Sequence, residues 1–161
     1  MLLWFVGGSL LAVWLVFRDP AIDHRLIVAG ALLPDVIDAP TGGAWVGHTV
    51  LASVVLLSVV MLATRGRRLL RRQLLALPIG TFLHLVLDGA WMATEVFWWP
   101  LLGVDLADTA IPSVERGLLN IPLELVGLAV VVWAWRRFRL AEPERRAHFL
   151  RTGRFGRDLV S

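Results

Sequence analysis

Four stretches of this chain run for 17 to 21 residues with almost no charge. Residues 1–17 carry none, and 45–63 carry His48 as their one ionisable group. Residues 74–94 carry His84 and Asp88, and 117–135 carry Glu124. A helix of about 20 apolar residues crosses a hydrocarbon core, so each stretch reads as a membrane span. A fifth stretch, 21–37, is weaker. Its apolar centre, Leu26 to Leu33, is short and lies between Asp23-His24-Arg25 and Pro34-Asp35. It reads as a short span or a re-entrant piece. The expected fold is all-α: a polytopic membrane protein of about five transmembrane helices, the second short or re-entrant. Residues 1–135 form one transmembrane domain with an outer loop at 95–116, and 136–161 form a basic tail.

Composition agrees. Hydrophobic residues make up 57% and charged residues 18%, with a mean hydropathy of +0.70. Soluble domains hold about 45–50% apolar residues, so a soluble enzyme and a disordered chain are both excluded. The absence of Cys excludes a disulfide scaffold and a Cys-type zinc domain. The first stretch lacks a basic leader and a small-residue cleavage site, so it is expected to remain as a mature helix rather than a signal peptide.

Charge segregation orients the spans. The loop after the third carries Arg65, Arg67, Arg68, Arg71 and Arg72 with no acid, and the segment after Trp135 carries eight Arg against three acids. The positive-inside rule puts both in the cytoplasm. Residues 95–116 hold Glu95, Asp105, Asp108 and Glu115 against Arg116 alone, and belong outside. If 21–37 spans, the first helix starts outside. If it is re-entrant, the N-terminus moves to the cytoplasm. The Trp residues support the spanning arrangement: Trp4, Trp45, Trp98 and Trp99 fall near the outer interface, and Trp14, Trp133 and Trp135 near the inner one. The Arg clusters meet anionic lipid headgroups. No nucleic-acid-binding module is recognisable in the tail. A homo-oligomer is compatible with the pattern.

Ionisable residues inside spans are costly and mark function or a partner. His84 and Asp88 stand at i, i+4 and project from one helical face. His48 opens the third span, which forms a hairpin with the fourth. The hairpin brings His48, His84 and Asp88 to one depth, at the outer end. Asp35 and Asp38 lie at the outer end of 21–37; if Pro34 makes a turn there, they cap backbone N–H groups instead. Two imidazoles and three carboxylates suit zinc, manganese or iron. The set is large enough for one or two ions, and two ions can activate a water and clamp a phosphoryl oxygen. Glu124, early in the last span, is a further ligand, a partner to a His, a general base, or a carboxylate reaching the interface. His24 sits at the opposite end of 21–37 and is excluded; His148 is expected to be solvated. Trp98-Trp99-Pro100-Leu101 is an interfacial belt or a lip for a lipid chain, and 95–116 could form a lid carrying Asp105 or Asp108.

These motifs resemble a known family. Phe17-Arg18-Asp19-Pro20, Gly30-Ala31-Leu32-Leu33-Pro34-Asp35-Val36-Ile37-Asp38, Gly47-His48-Thr49, Leu77-Pro78-Ile79-Gly80, His84-Leu85-Val86-Leu87-Asp88 and Trp99-Pro100-Leu101 follow one another in order. Over about Met1 to Glu124 the chain is similar to the YdjM-like membrane-bound metal-dependent hydrolases, especially short bacterial forms. That family is grouped distantly with zinc-dependent phospholipases C and related nucleases. The resemblance implies Asp35, Asp38, His48, His84 and Asp88 as metal ligands, and a bacterial cytoplasmic membrane as location. One position departs: related chains often carry a His after the N-terminal Trp, where this chain has Phe5. Phe binds no metal, which leaves a smaller metal count or a non-catalytic relative as readings.

The expected function is a metal-dependent hydrolase acting on a phosphoester, such as a lipid phosphate, at the outer membrane face. His48, His84, Asp35 and Asp88 would hold zinc, manganese or iron; Asp38 or Glu124 would bridge, orient or accept a proton. The alternative is a non-catalytic membrane protein whose His/Asp cluster binds a structural metal or a partner subunit. A transporter is the third reading, and the clustering of polar groups at one end counts against it.

Overall fold

The computed structural model describes residues 1–19, 21–41, 43–104 and 116–155. Among them every regular element is helical: α1 (Leu2–Phe17), α2 (His24–Asp38), α3 (Val50–Ala63), α4 (Arg68–Leu74), α5 (Ala76–Asp88), α6 (Thr94–Phe97), α7 (Asn120–Arg137) and α8 (Pro143–Thr152). Short 3-10 turns at Ala39–Thr41, Val46–His48, Ala90–Met92 and Gly117–Leu119 join them. The helix Gly117–Arg137 is long and apolar enough to cross a membrane, with 21 residues and a mean hydropathy of 1.9. Leu2–Phe17 and Val50–Ala63 are apolar and shorter.

The stretch 21–37 forms one helix that continues through Pro34 to Asp38. Asp23 caps its start, accepting from the Arg25 N–H at 3.1 Å. Pro34 carries no N–H, so the Gly30 carbonyl loses its usual donor four residues on. Thr81 of α5 supplies another: its hydroxyl donates to the Gly30 carbonyl at 3.2 Å. The two helices can reach each other because Gly30 and Gly80 meet at their crossing. A Cβ on Gly30 would run into the Leu77 carbonyl, and one on Gly80 into the Ile27 carbonyl. Among the described residues α2 packs most extensively against α5, and α1 packs along α7.

Two expected spans are shorter as helices. The stretch 74–94 keeps helical form from Ala76 only to Asp88, where Gly89 turns left-handed at φ 67° and caps the end. The stretch 45–63 begins its α-helix at Val50, after the turn that carries His48.

The Arg-rich segments gather at one end. Arg72 pairs with Asp19 at 2.5 Å, joining α4 to the α1–α2 connection. The described part of the C-terminal segment docks at the same end. The Gly153 carbonyl accepts from the His24 N–H at 2.8 Å, and the Leu150 carbonyl from Arg25 at 2.5 Å. Phe155 stacks on Phe138 with centroids 3.7 Å apart and reaches Phe149 on its other flank. His24 is buried against Phe155 there, whereas His148 is exposed.

Candidate metal centre

The opposite end holds the polar cluster. α2 contributes Asp35 and Asp38 from its last turn, the turn Val46–His48 contributes His48, and α5 contributes His84 and Asp88. His48, His84, Asp38 and Asp88 are all at most 1% exposed.

Asp38 builds the turn that carries His48. One carboxylate oxygen accepts from the Gly47 N–H at 2.8 Å. The other accepts from the Trp45 N–H at 2.8 Å and lies 2.7 Å from His48 Nδ1. Gly47 leaves the room this needs, since a Cβ there would sit 2.8 Å from the same carboxylate. Thr49 then caps α3, its hydroxyl oxygen accepting from the Ala52 N–H at 3.0 Å. On α5, His84 Nδ1 lies 2.7 Å from the Ala31 carbonyl, one residue beyond the carbonyl that Pro34 frees.

Both imidazoles are thereby fixed in one tautomer. Each Nδ1 faces an oxygen that can only accept, so in a neutral ring Nδ1 carries the proton and Nε2 the lone pair. The two Nε2 atoms face each other at 3.3 Å. Asp35 Oδ1 lies 3.6 Å from each of them. Two lone pairs and a carboxylate oxygen at this spacing repel unless a cation lies among them. Ligands of a tetrahedral ion with bonds of about 2.1 Å stand about 3.4 Å apart, close to the triangle these atoms form. Asp88 Oδ2 is 3.8 Å from His48 Nε2, is buried, and has no hydrogen-bond partner. A buried carboxylate oxygen without a partner is expensive. The group Asp35, His48 and His84 could hold a metal ion, and the donor set fits one well. Each histidine's second nitrogen is held by an oxygen, as in metal sites generally.

Arg116 borders the cluster. Its guanidinium donates to Asp88 Oδ1 at 2.6 Å and also to the Asp88 backbone carbonyl. Sequence reasoning did not assign it a role. The available signal was its isolation as the one cation in an acidic stretch. Asp35 is the most open member, with its side chain 34% exposed.

The remaining candidates lie elsewhere. Glu124 does not join the cluster: its Oε2 accepts from the Leu3 and Trp4 N–H groups at 2.8 and 3.3 Å, capping the start of α1. That oxygen is held by orphan helix donors. Asp38 likewise spends its oxygens on the His48 turn and serves as a positioning carboxylate. Phe5 is fully buried with its ring 4.1 Å from that of His84, so position 5 abuts the site. Trp98 and Leu101 are exposed, and Trp99 Nε1 donates to the Val104 carbonyl at 3.0 Å. Asp105, Asp108 and the lid read from 95–116 fall largely outside the described residues. The chain matches no protein-family model, no curated protein and no solved structure.

Proposed function

We propose that this chain is a multi-pass membrane protein that binds one divalent metal ion, zinc by its ligand chemistry, and hydrolyses a phosphoester at the outer membrane face. The observation that carries the reading is the confrontation of two Nε2 lone pairs at 3.3 Å with Asp35 Oδ1 beside them. The unpartnered Asp88 oxygen supplies the fourth donor. Because Asp38 is committed to the His48 turn, four donors remain, and four suit one ion rather than two. The exposed side of Asp35 leaves the approach open that a catalytic site needs.

Membrane residence is supported by what the helices leave uncovered. α3 is apolar around its whole circumference, yet Val54, Val55, Val59 and Leu62 are about half exposed or more. α7 leaves Ile121, Leu125 and Val126 exposed in the same way. A patch of that extent suits lipid rather than water. The separation of the Arg-rich end from the His/Asp end agrees with a cytoplasmic Arg surface against anionic headgroups and an outward-facing site. The bacterial cytoplasmic membrane and kinship with the YdjM-like hydrolases remain part of this proposal, carried by the motif order.

When bound, a divalent ion supplies an acidified water and a Lewis acid for a phosphoryl oxygen. The chain's own residues do the rest. Asp38 and the Ala31 carbonyl hold the two imidazoles in their ligating tautomer. Arg116 orients Asp88 and adds a positive charge at the rim, where an anionic phosphoester approaches.

Elemental analysis of the protein purified in detergent, after reconstitution with zinc, manganese or iron, tests the reading. About one ion per chain is expected, lost in His84→Ala and in Asp88→Ala with helical circular dichroism retained. Asp88→Asn should abolish turnover of a phosphodiester. No binding of any of the three metals, or undiminished turnover in Asp88→Asn, would overturn the proposal.

A further inference from the structure

The end of α5 that carries His84 and Asp88 is held from outside the helix. α5 stops at Asp88, so its last four carbonyls lack the donors that a further turn would supply. The Gly89 N–H serves those of Leu85 and Val86. The next two are served by side chains from elsewhere in the chain. Trp4 Nε1 donates to the Leu87 carbonyl at 3.0 Å, and Arg116 donates to the Asp88 carbonyl. Where lipid surrounds a helix end, no water replaces such a donor.

Trp4 is in turn placed by Glu124. The Oε2 of Glu124 accepts from the Leu3 N–H at 2.8 Å and from the Trp4 N–H at 3.3 Å. α7 comes this close because Gly127, about one turn along from Glu124, faces the same peptide. A Cβ on Gly127 would run into the Leu3 carbonyl and the Trp4 nitrogen. Phe5 follows Trp4, and its ring lies 4.1 Å from that of His84. One turn of α1 therefore reaches the metal centre twice, through an indole on the backbone beside Asp88 and a phenyl ring on the His84 imidazole. A carboxylate inside an apolar helix is costly. A helix N-terminus, with its positive dipole end and orphan N–H groups, offsets that cost.

We infer that Glu124 is a positioning residue of the metal centre, acting through the first turn of α1 on the end of α5 and on His84. The inference rests on the metal-binding half of the proposed function, and it gives Glu124 neither the ion nor a proton to hold. Without the carboxylate oxygen, two N–H groups lose their acceptor and the first turn of α1 is free to shift. The Trp4 indole then leaves the Leu87 carbonyl, and the Phe5 ring moves against His84. Two of the donors, His84 and Asp88, are displaced although neither touches Glu124.

The test is metal binding by the full chain in detergent, with zinc affinity read by chelator competition and Co(II) as a spectroscopic probe. Glu124→Ala should bind zinc about tenfold more weakly, the low end of the loss seen when partners that orient ligands are removed. It should also alter the visible absorption of the Co(II) form, which reports ligand geometry. A cap that only stabilised α1 would lower Tm and leave that spectrum as it is. Glu124→Gln keeps an oxygen acceptor and should match the wild type in both measurements, whereas a ligand, a base or a charge would not survive the change. Glu124→Asp withdraws the carboxylate by one methylene and should shift the spectrum in the same direction as Glu124→Ala, which keeps the test in hand if the alanine variant does not fold. Trp4→Phe deletes the indole N–H and keeps an aromatic ring. It should shift the spectrum as well, and combined with Glu124→Ala it should cost less than the sum of the two. A spectrum and affinity unchanged in Glu124→Ala and Glu124→Asp overturn the inference, as does a Glu124→Gln protein that behaves like Glu124→Ala. A wild type that binds neither Co(II) nor zinc overturns the metal centre and this role with it, an outcome that the wild type alone tells apart from the others.

Discussion

His48 Nδ1 lies 2.7 Å from Asp38 Oδ2, and that one contact decides which nitrogen of His48 faces the centre. The same carboxylate holds the Trp45 and Gly47 N–H groups, so it shapes the turn as well as the tautomer. Asp38 is thus a positioning residue whose effect on any bound ion passes through His48.

Asp38→Asn tests that relationship. An amide offers one accepting oxygen where the carboxylate offers two, so at least one of the three donors loses its acceptor. Loss of such an outer partner costs about 10–100-fold in metal affinity. Competition against a chelator should show a weakening of that order for zinc, with the helical content unchanged. An affinity equal to the wild type's would show that His48 is oriented by its turn alone.

Phe5→His bears on the departure from the YdjM-like pattern. The Phe5 ring sits 4.1 Å from that of His84, and both are fully buried. An imidazole at position 5 would bring a further nitrogen to the edge of the donor set. The expected outcome is tighter zinc binding, measured by the same competition. If affinity falls instead, Phe5 acts as packing that holds His84 in place, and the extra ring only perturbs it.

Much of the site was legible because spacing and topology are sequence properties. His84 and Asp88 share a face through the 3.6-residue period, and a hairpin must return His48 to their depth. Helix ends were less legible. The stretch 74–94 reads as one span by hydropathy, but Gly89 adopts a left-handed φ and stops α5 at Asp88. The late start of α3 depends on Asp38, a residue twelve positions upstream of Val50, and no local pattern reports that. Glu124 looked chemical because it is an acid in an apolar run. Its partners, the N–H groups of Leu3 and Trp4, lie about 120 residues away. Pro34 suggested a turn, whereas Thr81 of another helix supplies the donor that lets α2 continue.

The Asp19–Arg72 pair predicts a pH dependence at the Arg-rich end. Burial pushes the Asp19 carboxyl up, but the hydrogen bonds from Arg72 and the Ala21 N–H, with the charges of Arg72 and Arg154, outweigh it. Its pKa therefore falls below the ordinary 3.8. A carboxylate with a depressed folded pKa stabilises above its unfolded pKa and loses that contribution as pH falls through the folded value. The pair is largely exposed, so the contribution is small. The Tm of the wild type should exceed that of Asp19→Asn at pH 7, and the gap should close as pH drops below about 4. A gap that stays constant from pH 7 to 3 would assign the difference to shape rather than charge.

Gly80→Ala tests whether the α2–α5 seam sets the metal centre. In an ordinary helix interior this change stabilises by about 1 kcal/mol. Here the new Cβ would meet the Ile27 carbonyl, the Ala31 N and the Gly30 Cα, all backbone atoms that no rotamer change can clear. The helices must part, at a cost of about 1–3 kcal/mol for such overpacking. Parting them lengthens the 2.7 Å contact that holds His84 Nδ1 on the Ala31 carbonyl. Thermal stability and zinc affinity should therefore fall together in Gly80→Ala. Gly103→Ala, where a Cβ meets nothing within 4 Å, should change neither. Lower stability with unchanged zinc affinity would mean that His84 keeps its orientation independently of the seam, held instead by the Phe5 ring packed against it.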